Sequence, residues 1–149
     1  MLRGSWGSGK SHVIKEIATA LQAMGRNVYV IAFKNKQAVK FEDGMTVHAF
    51  CKRMRQGEIQ LPATVIWDES FECTMFVHAQ MVQFRLIPEL SWIFVGDELQ
   101  AQLPGHWRGV RTLNNLWKSD LLPSTMVLLE QQHRSHDPVL RVGSPCMKQ

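Results

Sequence analysis

Near the start of the chain, residues 4–11 (GSWGSGKS) fill every fixed position of the pattern G-x-x-x-x-G-K-[ST]. Glycines adopt backbone conformations that a Cβ excludes, so successive N–H groups in such a loop can turn towards a single anion. The Lys10 ammonium suits a phosphate group, and the Ser11 hydroxyl is a hard oxygen ligand that suits Mg²⁺. These residues therefore predict a loop that binds the phosphates of a nucleoside triphosphate and leads into a helix.

The predicted nucleotide is ATP, bound by the loop and by the first turn of the helix that follows, whose N-terminus has a partial positive charge. The residues assigned to ATP binding are Gly4, Gly7, Ser8, Gly9, Lys10, Ser11 and His12. The alternative is a turn rich in Gly and Ser that only caps a helix. Such a turn has no need of a Lys beside a Ser at the start of the helix, so we favour the nucleotide site.

Strands and helices are predicted to alternate along the chain. Apolar residues recur at helical spacing over residues 11–24, and Gly25 is expected to end that helix. Apolar strands are predicted at residues 28–33, 63–67, 91–95 and 126–129, with further helices at 34–38, from 46, at 74–87, 108–118 and 137–142. Since only residues 1–3 precede Gly4, the first strand is expected to be short. This order predicts an α/β fold with a parallel sheet sandwiched by helices, forming a single domain over residues 1–149.

With 149 residues, 45% of them hydrophobic and 20% charged, the chain has the composition of a globular domain that buries a core. Its net charge of +4 is compatible with nucleic acid binding, but many small enzymes are equally basic. The three cysteines are widely spaced without a C-x-x-C, which disfavours a disulfide framework or a zinc site and favours a reducing, cytoplasmic setting. No apolar run is long enough to span a membrane and no signal peptide is recognised, so no membrane contact is expected.

An acidic pair, Asp68-Glu69, follows directly after the apolar strand at residues 63–67. Ligands of open α/β sheets collect at the carboxyl ends of the strands, so we expect this pair to lie near the phosphate loop. Asp68 would be a ligand of Mg²⁺, and Glu69 would be the general base that orients the attacking water and accepts its proton. The alternative is that both carboxylates only cap the next helix. With a complete phosphate loop upstream, we favour ATP hydrolysis.

Two further catalytic residues are predicted after later strands. Gln100 follows the strand at residues 91–95 and would contact the γ-phosphate or its attacking water. Arg134 follows the strand at residues 126–129 and would reach the γ-phosphate as an arginine finger. The alternatives are a polar turn for Gln100 and a surface side chain for Arg134.

Side chains at two other strand ends are candidate contacts to nucleic acid. Lys34 and Asn35 follow a predicted strand, and Thr46, His48 and Phe50 begin a helical stretch. Lysines, amides and hydroxyls bind phosphates, and an exposed Phe50 would stack on a base. The equal alternative is that Phe50 belongs to the core and that the lysines are solvated.

Taken together and in this order, these stretches resemble the motifs of the first RecA-like domain of superfamily 1 helicases. The resemblance equates residues 4–11 with motif I, 34–38 with Ia, 46–50 with Ib, 68–69 with II, 96–100 with III and 132–135 with IV. The Thr-Val-His-Ala-Phe stretch looks most like the RecD- and Dda-like branch, which moves 5′ to 3′. The resemblance covers nearly the whole chain.

This resemblance implies a RecA-like P-loop NTPase fold and Mg²⁺-dependent ATP turnover by Lys10, Ser11, Asp68, Glu69, Gln100 and Arg134. It also implies single-stranded nucleic acid, DNA in preference to RNA, as the partner of Thr46, His48 and Phe50. The chain stops after motif IV, so a second RecA-like domain or other replication proteins would have to complete the motor. We therefore expect nucleotide binding, weak hydrolysis and no unwinding by this chain alone.

Departures from the family pattern leave alternatives open. The Gln-Leu-Pro of motif III is interrupted, so Gln102 competes with Gln100 for the role of sensor, and the glutamine-bearing adenine motif upstream of the loop is missing. The spacing Gly-Asp-x-x-Gln-x-x-Leu-Pro also resembles PhoH-like ATPases, which are complete with one domain. The Thr-Val-His-Ala-Phe stretch and the short connection from the loop to Asp68 favour the helicase family. A third alternative is a non-hydrolysing nucleotide-binding module, against which Glu69 argues.

Overall fold

The computed structural model describes residues 1–5, 7–70, 73, 75–97 and 127–130. The strands are β1 (Leu2–Gly4), β2 (Asn27–Ala32), β3 (Met45–Thr46), β4 (Ala63–Asp68), β5 (Leu90–Gly96) and β6 (Val127–Leu129). The helices are α1 (Lys10–Ala23), α2 (Asn35–Ala38), α3 (Val47–Arg55) and α4 (Met75–Arg85). The helices predicted at residues 108–118 and 137–142 lie outside the described residues. None of the described helices is long and apolar enough to cross a membrane.

The described strands form a six-stranded sheet in the order β3-β2-β4-β5-β1-β6, and every pair of neighbours is parallel. Parallel neighbours need long crossover connections, which the helices between the strands provide. β5 lies between β1, which leads into the phosphate loop, and β4, which leads into the acidic pair. The predicted α/β fold is therefore confirmed, with the parallel sheet and short first strand of a RecA-like P-loop arrangement.

Apolar side chains cover both faces of the sheet. Consecutive residues of a strand point to opposite sides, so neighbouring residues belong to different core clusters. In β4, Trp67 shares one core cluster with Phe50 of α3 and Met81 of α4. Its neighbour Ile66 belongs to a second cluster, with Ile14 of α1. All six residues of β4 are buried, which explains why the strand is apolar at four of its six positions, with Thr64 and Asp68 as the exceptions, instead of alternating.

The sequence did not predict β3. It has only two residues, Met45 and Thr46, too few for an alternating pattern to be recognised, and α3 begins after them at Val47. Thr46 pairs with Ala32 of β2. Thr46 thus lies at the carboxyl edge of the sheet and not inside a helix.

Candidate active site

The phosphate loop leaves β1 at Gly4 and enters α1 through Gly9. Gly7 and Gly9 have φ angles of 84° and 85°, a left-handed conformation that residues with a Cβ rarely adopt. Gly4 lies in a strand, and a Cβ at this position would overlap the Ser8 hydroxyl. Backbone freedom therefore explains two of the three glycines, and close packing explains the third.

The Lys10 ammonium points back into this loop. Its Nζ donates to the carbonyl oxygens of Gly4, at 2.8 Å, and of Ser5, at 3.1 Å, and the side chain is only 7% exposed. A buried ammonium needs hydrogen-bond partners because the desolvation of an unpaired charge is costly. The two carbonyls therefore keep a positive charge inside the loop, where the sequence predicts the phosphates.

Ser8 indicates that the loop suits an anion. Its side chain is buried, and within the described part of the chain its Oγ has no hydrogen-bond partner. A buried hydroxyl without a partner costs about 1–3 kcal/mol, and a phosphate oxygen that accepts a hydrogen bond from it would remove this cost. The Ser8 hydroxyl without a partner, and the absence of a Cβ at Gly4 beside it, suit the binding of a nucleotide's phosphates.

The residues predicted to be Mg²⁺ ligands are Ser11, in the first turn of α1, and Asp68, the last residue of β4. His12, also assigned to ATP binding, is exposed beside Ser11. Mg²⁺ in nucleotide sites takes one or two protein oxygens together with phosphates and water. Among the described residues no three His, Cys, Asp or Glu side chains are grouped as a metal site of their own.

The acidic pair lies beside the phosphate loop. Asp68 is buried, and its Oδ1 accepts the N–H of Glu69 at 3.1 Å. The Oε1 of Glu69 lies 4.0 Å from the Nζ of Lys10. Glu69 has a φ of 48°, a left-handed conformation that costs about 1–2 kcal/mol in a residue with a Cβ. The structure thus brings the predicted base and the predicted phosphate-binding lysine together across the end of β5.

Two residues that the sequence did not single out, Ser70 and His78, make contacts directly beside the acidic pair. The buried Ser70 donates from its Oγ to the Val95 carbonyl at 3.2 Å, and its own carbonyl accepts from His78 Nε2 at 3.0 Å. The His78 ring stacks on Trp67, with centroids 4.9 Å apart and an interplanar angle of 28°. Burial lowers the pKa of His78, the Ser70 carbonyl opposes this shift, and the charge of Arg85 adds to it. No motif marks these residues, because their contact forms only when α4 packs on the sheet.

The remaining predicted catalytic residues, Gln100 and Arg134, lie outside the described residues, as does the competing Gln102. The described part of this segment ends at Asp97, directly after β5. Since β5 runs between β1 and β4, its carboxyl end lies between the phosphate loop and the acidic pair.

Four of the five residues predicted to contact nucleic acid lie at the carboxyl ends of the neighbouring strands β2 and β3. Lys34 and Asn35 are exposed at the start of α2. Thr46 caps α3 with its Oγ1, which accepts a backbone N–H of the first turn at 3.2 Å, and His48 is exposed in that turn. The His48 ring lies 6.1 Å from the half-buried ring of Phe33, and this contact joins the two groups.

The fifth residue, Phe50, is a core residue and not an exposed aromatic. Its side chain is 0% exposed, and its ring lies against those of Tyr29, Phe84 and Trp92, with centroid distances of 6.1–6.4 Å. Two positions along a helix differ by about 200°, so α3 turns Phe50 towards the sheet and His48 towards solvent. The interpretation of Phe50 as a base-stacking residue is therefore wrong, and the core alternative is correct.

Comparison with protein-family models matches residues 1–142 of this chain to the family described as AAA domain. The matched range includes the phosphate loop, the acidic pair at residues 68–69 and the edge formed by β2 and β3. A search of curated proteins found no match.

Proposed function

This chain belongs to the AAA domain family of P-loop NTPases, and we propose that it is the Mg²⁺-dependent, ATP-hydrolysing first RecA-like domain of a superfamily 1 helicase. Membership of the family makes it a nucleotide-binding domain of NTPase type. The helicase assignment rests on the order of the motifs in the sequence. The assignment of hydrolysis rests on the geometry of the site.

The observation that supports hydrolysis most directly is the 4.0 Å distance between Lys10 Nζ and Glu69 Oε1. A domain that only binds nucleotide needs the lysine, but a carboxylate next to it repels the phosphates and so weakens their binding. A hydrolase needs both, because one group stabilises the phosphate charge and the other activates water.

In the proposed reaction, Glu69 accepts a proton from the attacking water while the water oxygen forms a bond to the γ-phosphorus. The bond from that phosphorus to the bridging oxygen breaks, and ADP and phosphate are the products. Lys10 stabilises the negative charge on the β- and γ-phosphate oxygens. Bound Mg²⁺ would neutralise further charge at the same phosphates, with Ser11 and Asp68 as its protein ligands.

We further propose single-stranded nucleic acid, DNA in preference to RNA, as the partner of the edge formed by β2 and β3. The proposed contacts are Lys34, Asn35, Thr46 and His48. This edge adjoins the active site, since β2 pairs with both β3 and β4. Movement along the strand in the direction of the RecD- and Dda-like branch would require a second RecA-like domain or other replication proteins.

The test is steady-state ATP hydrolysis with and without single-stranded DNA, comparing the wild type with Lys10→Ala and Glu69→Gln. Lys15→Ala and Glu16→Gln are matched controls, because both side chains are exposed on α1. We expect Lys10→Ala to abolish ATP binding. We expect Glu69→Gln to retain ATP binding but to lower kcat by about 10²–10⁴-fold. Both controls should behave as wild type.

Each other outcome favours a different function. Turnover that DNA does not stimulate would favour a PhoH-like single-domain ATPase over a helicase domain. ATP binding without turnover, with or without DNA, would favour a non-hydrolysing nucleotide-binding module. A wild-type chain that binds no ATP would contradict the assignment of the phosphate loop itself.

A further inference from the structure

Glu69 has a backbone conformation that a glutamate rarely adopts. Its φ of 48° lies in the left-handed region, which the Cβ of a glutamate disfavours. A residue keeps such a conformation only when its surroundings fix it from outside. The N–H of Glu69 donates to Asp68, and further groups fix the residues before and after this pair.

Ser70, the residue after Glu69, is fixed by hydrogen bonds to two other elements. Its Oγ donates to the carbonyl of Val95 in β5 at 3.2 Å, and its carbonyl accepts from His78 in α4 at 3.0 Å. Ser70 is 0% exposed, so water does not replace these partners. Val95 in turn pairs with Leu2 of β1. The position of the acidic pair is thus tied to the strand that leads into the phosphate loop.

His78 contacts the chain on both sides of the acidic pair. Its ring stacks on Trp67, which precedes Asp68, and its Nε2 meets the carbonyl of Ser70, which follows Glu69. A carbonyl oxygen only accepts hydrogen bonds, so Nε2 is the ring nitrogen that has the proton. One side chain therefore restrains both ends of the segment that presents the carboxylates.

We propose that His78 and Ser70 are positioning residues that keep Glu69 in its left-handed conformation and so keep its carboxylate beside Lys10. The catalytic meaning of this inference rests on the proposed ATP hydrolysis. The contacts described for these side chains are with the backbone of Val95 and Ser70 and with the ring of Trp67, three residues outside the phosphate loop. Their loss should consequently lower kcat without weakening ATP binding.

Four variants separate positioning from general stability. His78→Phe keeps a ring for the stack on Trp67 but removes the donor, whereas His78→Gln keeps an N–H donor. Ser70→Ala removes the hydrogen bond to β5. Phe84→Leu is the control, since Phe84 is buried on the same helix and packs against Phe50 instead of the acidic pair.

We expect His78→Phe and Ser70→Ala to lower kcat by about 10²-fold with an unchanged KM for ATP. His78→Gln should recover most of this loss, and Phe84→Leu should keep the wild-type kcat. A second readout needs no turnover: hydrogen exchange of the Glu69 amide, which donates to Asp68, measured by NMR. This exchange should be faster in His78→Phe than in the wild type or in Phe84→Leu.

A wild-type kcat in His78→Phe, or an unchanged exchange rate of the Glu69 amide in that variant, would overturn the proposal. If the wild-type chain hydrolyses no ATP under any condition, the proposed function fails instead. The exchange rate then decides by itself whether His78 and Ser70 keep Glu69 in place.

Discussion

Thr46 and Asp68 lie in the same row of the sheet, one on each side of Ala32 of β2. Thr46 begins the helix that presents the exposed His48, and Asp68 is the proposed ligand of Mg²⁺. A single strand and its backbone hydrogen bonds therefore connect the proposed nucleic acid edge with the proposed catalytic centre. We expect changes at Thr46 to affect both α3 and the response of ATP hydrolysis to nucleic acid.

Thr46→Ala removes the hydroxyl that caps α3, and Thr46→Ser retains it. Loss of an N-cap costs about 1 kcal/mol, so the free energy of unfolding should fall by this amount in Thr46→Ala and much less in Thr46→Ser. Urea denaturation measures this change. In ATPase assays, Thr46→Ala should also reduce stimulation by single-stranded DNA more than it reduces basal turnover. Equal reductions of the two would argue against a connection through the sheet.

Gly4→Ala should weaken ATP binding, because its Cβ would collide with the Ser8 hydroxyl that we assign to a phosphate. Gly57→Ala is the matched control, since Gly57 has a φ of 71° but, beyond its chain neighbours, no atom of the described residues lies within 4 Å of the added Cβ. The control should lose about 1 kcal/mol of stability, from the left-handed backbone, and keep its affinity for ATP. Calorimetric titration with ATP and urea denaturation of both variants provide the comparison. Equal ATP affinity in the two variants would contradict the role given to Gly4.

Truncation of Phe50 should mainly lower the stability of the chain, whereas truncation of Phe33 should mainly lower its affinity for DNA. Phe50→Ala removes a fully buried ring and should cost about 3–5 kcal/mol of stability. Phe33 is half-buried beside the exposed His48, and we propose that the accessible part of its ring stacks on a base of the bound strand. Phe33→Ala should therefore cost less stability than Phe50→Ala but weaken binding of single-stranded DNA by about 1–3 kcal/mol. Chemical denaturation and fluorescence anisotropy with labelled DNA measure the two effects. Unchanged DNA affinity in Phe33→Ala would exclude base stacking at this ring.

The phosphate loop and the acidic pair could be predicted from the sequence because the chemistry of each lies within a few consecutive residues. Their proximity followed from the rule that parallel strands present ligands at their carboxyl ends. The burial of Phe50 was also within reach. Val47, Phe50, Cys51 and Met54 recur at i, i+3, i+4 and i+7, the spacing of a buried helical face. That spacing favours a core position for Phe50 over a base-stacking one.

Other parts of the site could not be predicted, because tertiary packing alone creates them. The hydrogen bond between His78 and Ser70 forms only when α4 lies on the sheet, and neither residue belongs to a recognisable pattern. β3 is a strand only because β2 lies beside it, since Met45 and Thr46 are too few to form a periodic signal.

His78 should make the stability of the chain depend on pH. Burial keeps its pKa below the ordinary value of 6.5, so the unfolded chain binds this proton more readily than the folded chain. The free energy of unfolding should therefore fall as the pH drops through that value and level off below the folded pKa. His78→Gln should lose less stability than the wild type between about pH 7.5 and about pH 5.5, measured by urea denaturation. Phe84→Leu should be less stable throughout but keep the wild-type difference, and a wild-type difference in His78→Gln would contradict the prediction.

Lys34 should contribute to the salt dependence of nucleic acid binding. Each phosphate that a protein neutralises on a single strand adds about 0.7 to the slope of log affinity against log salt concentration. Lys34→Ala should reduce the slope by about this amount, whereas Lys15→Ala, exposed on α1, should leave it unchanged. Titrations of labelled single-stranded DNA at several salt concentrations give both slopes. If Lys34→Ala and Lys15→Ala had the same slope, Lys34 would not be a phosphate contact.

The position of β5 between β1 and β4 sets the width of the active site. Neighbouring strands lie about 4.8 Å apart, so the phosphate loop and the acidic pair leave the sheet about 10 Å apart. The side chains of Lys10 and Glu69 bridge this gap, since Nζ of the first lies 4.0 Å from Oε1 of the second. In the proposed ATPase, the strand between them thus separates the backbone that would hold the phosphates from the backbone that would present the general base, and the two groups meet through their side chains.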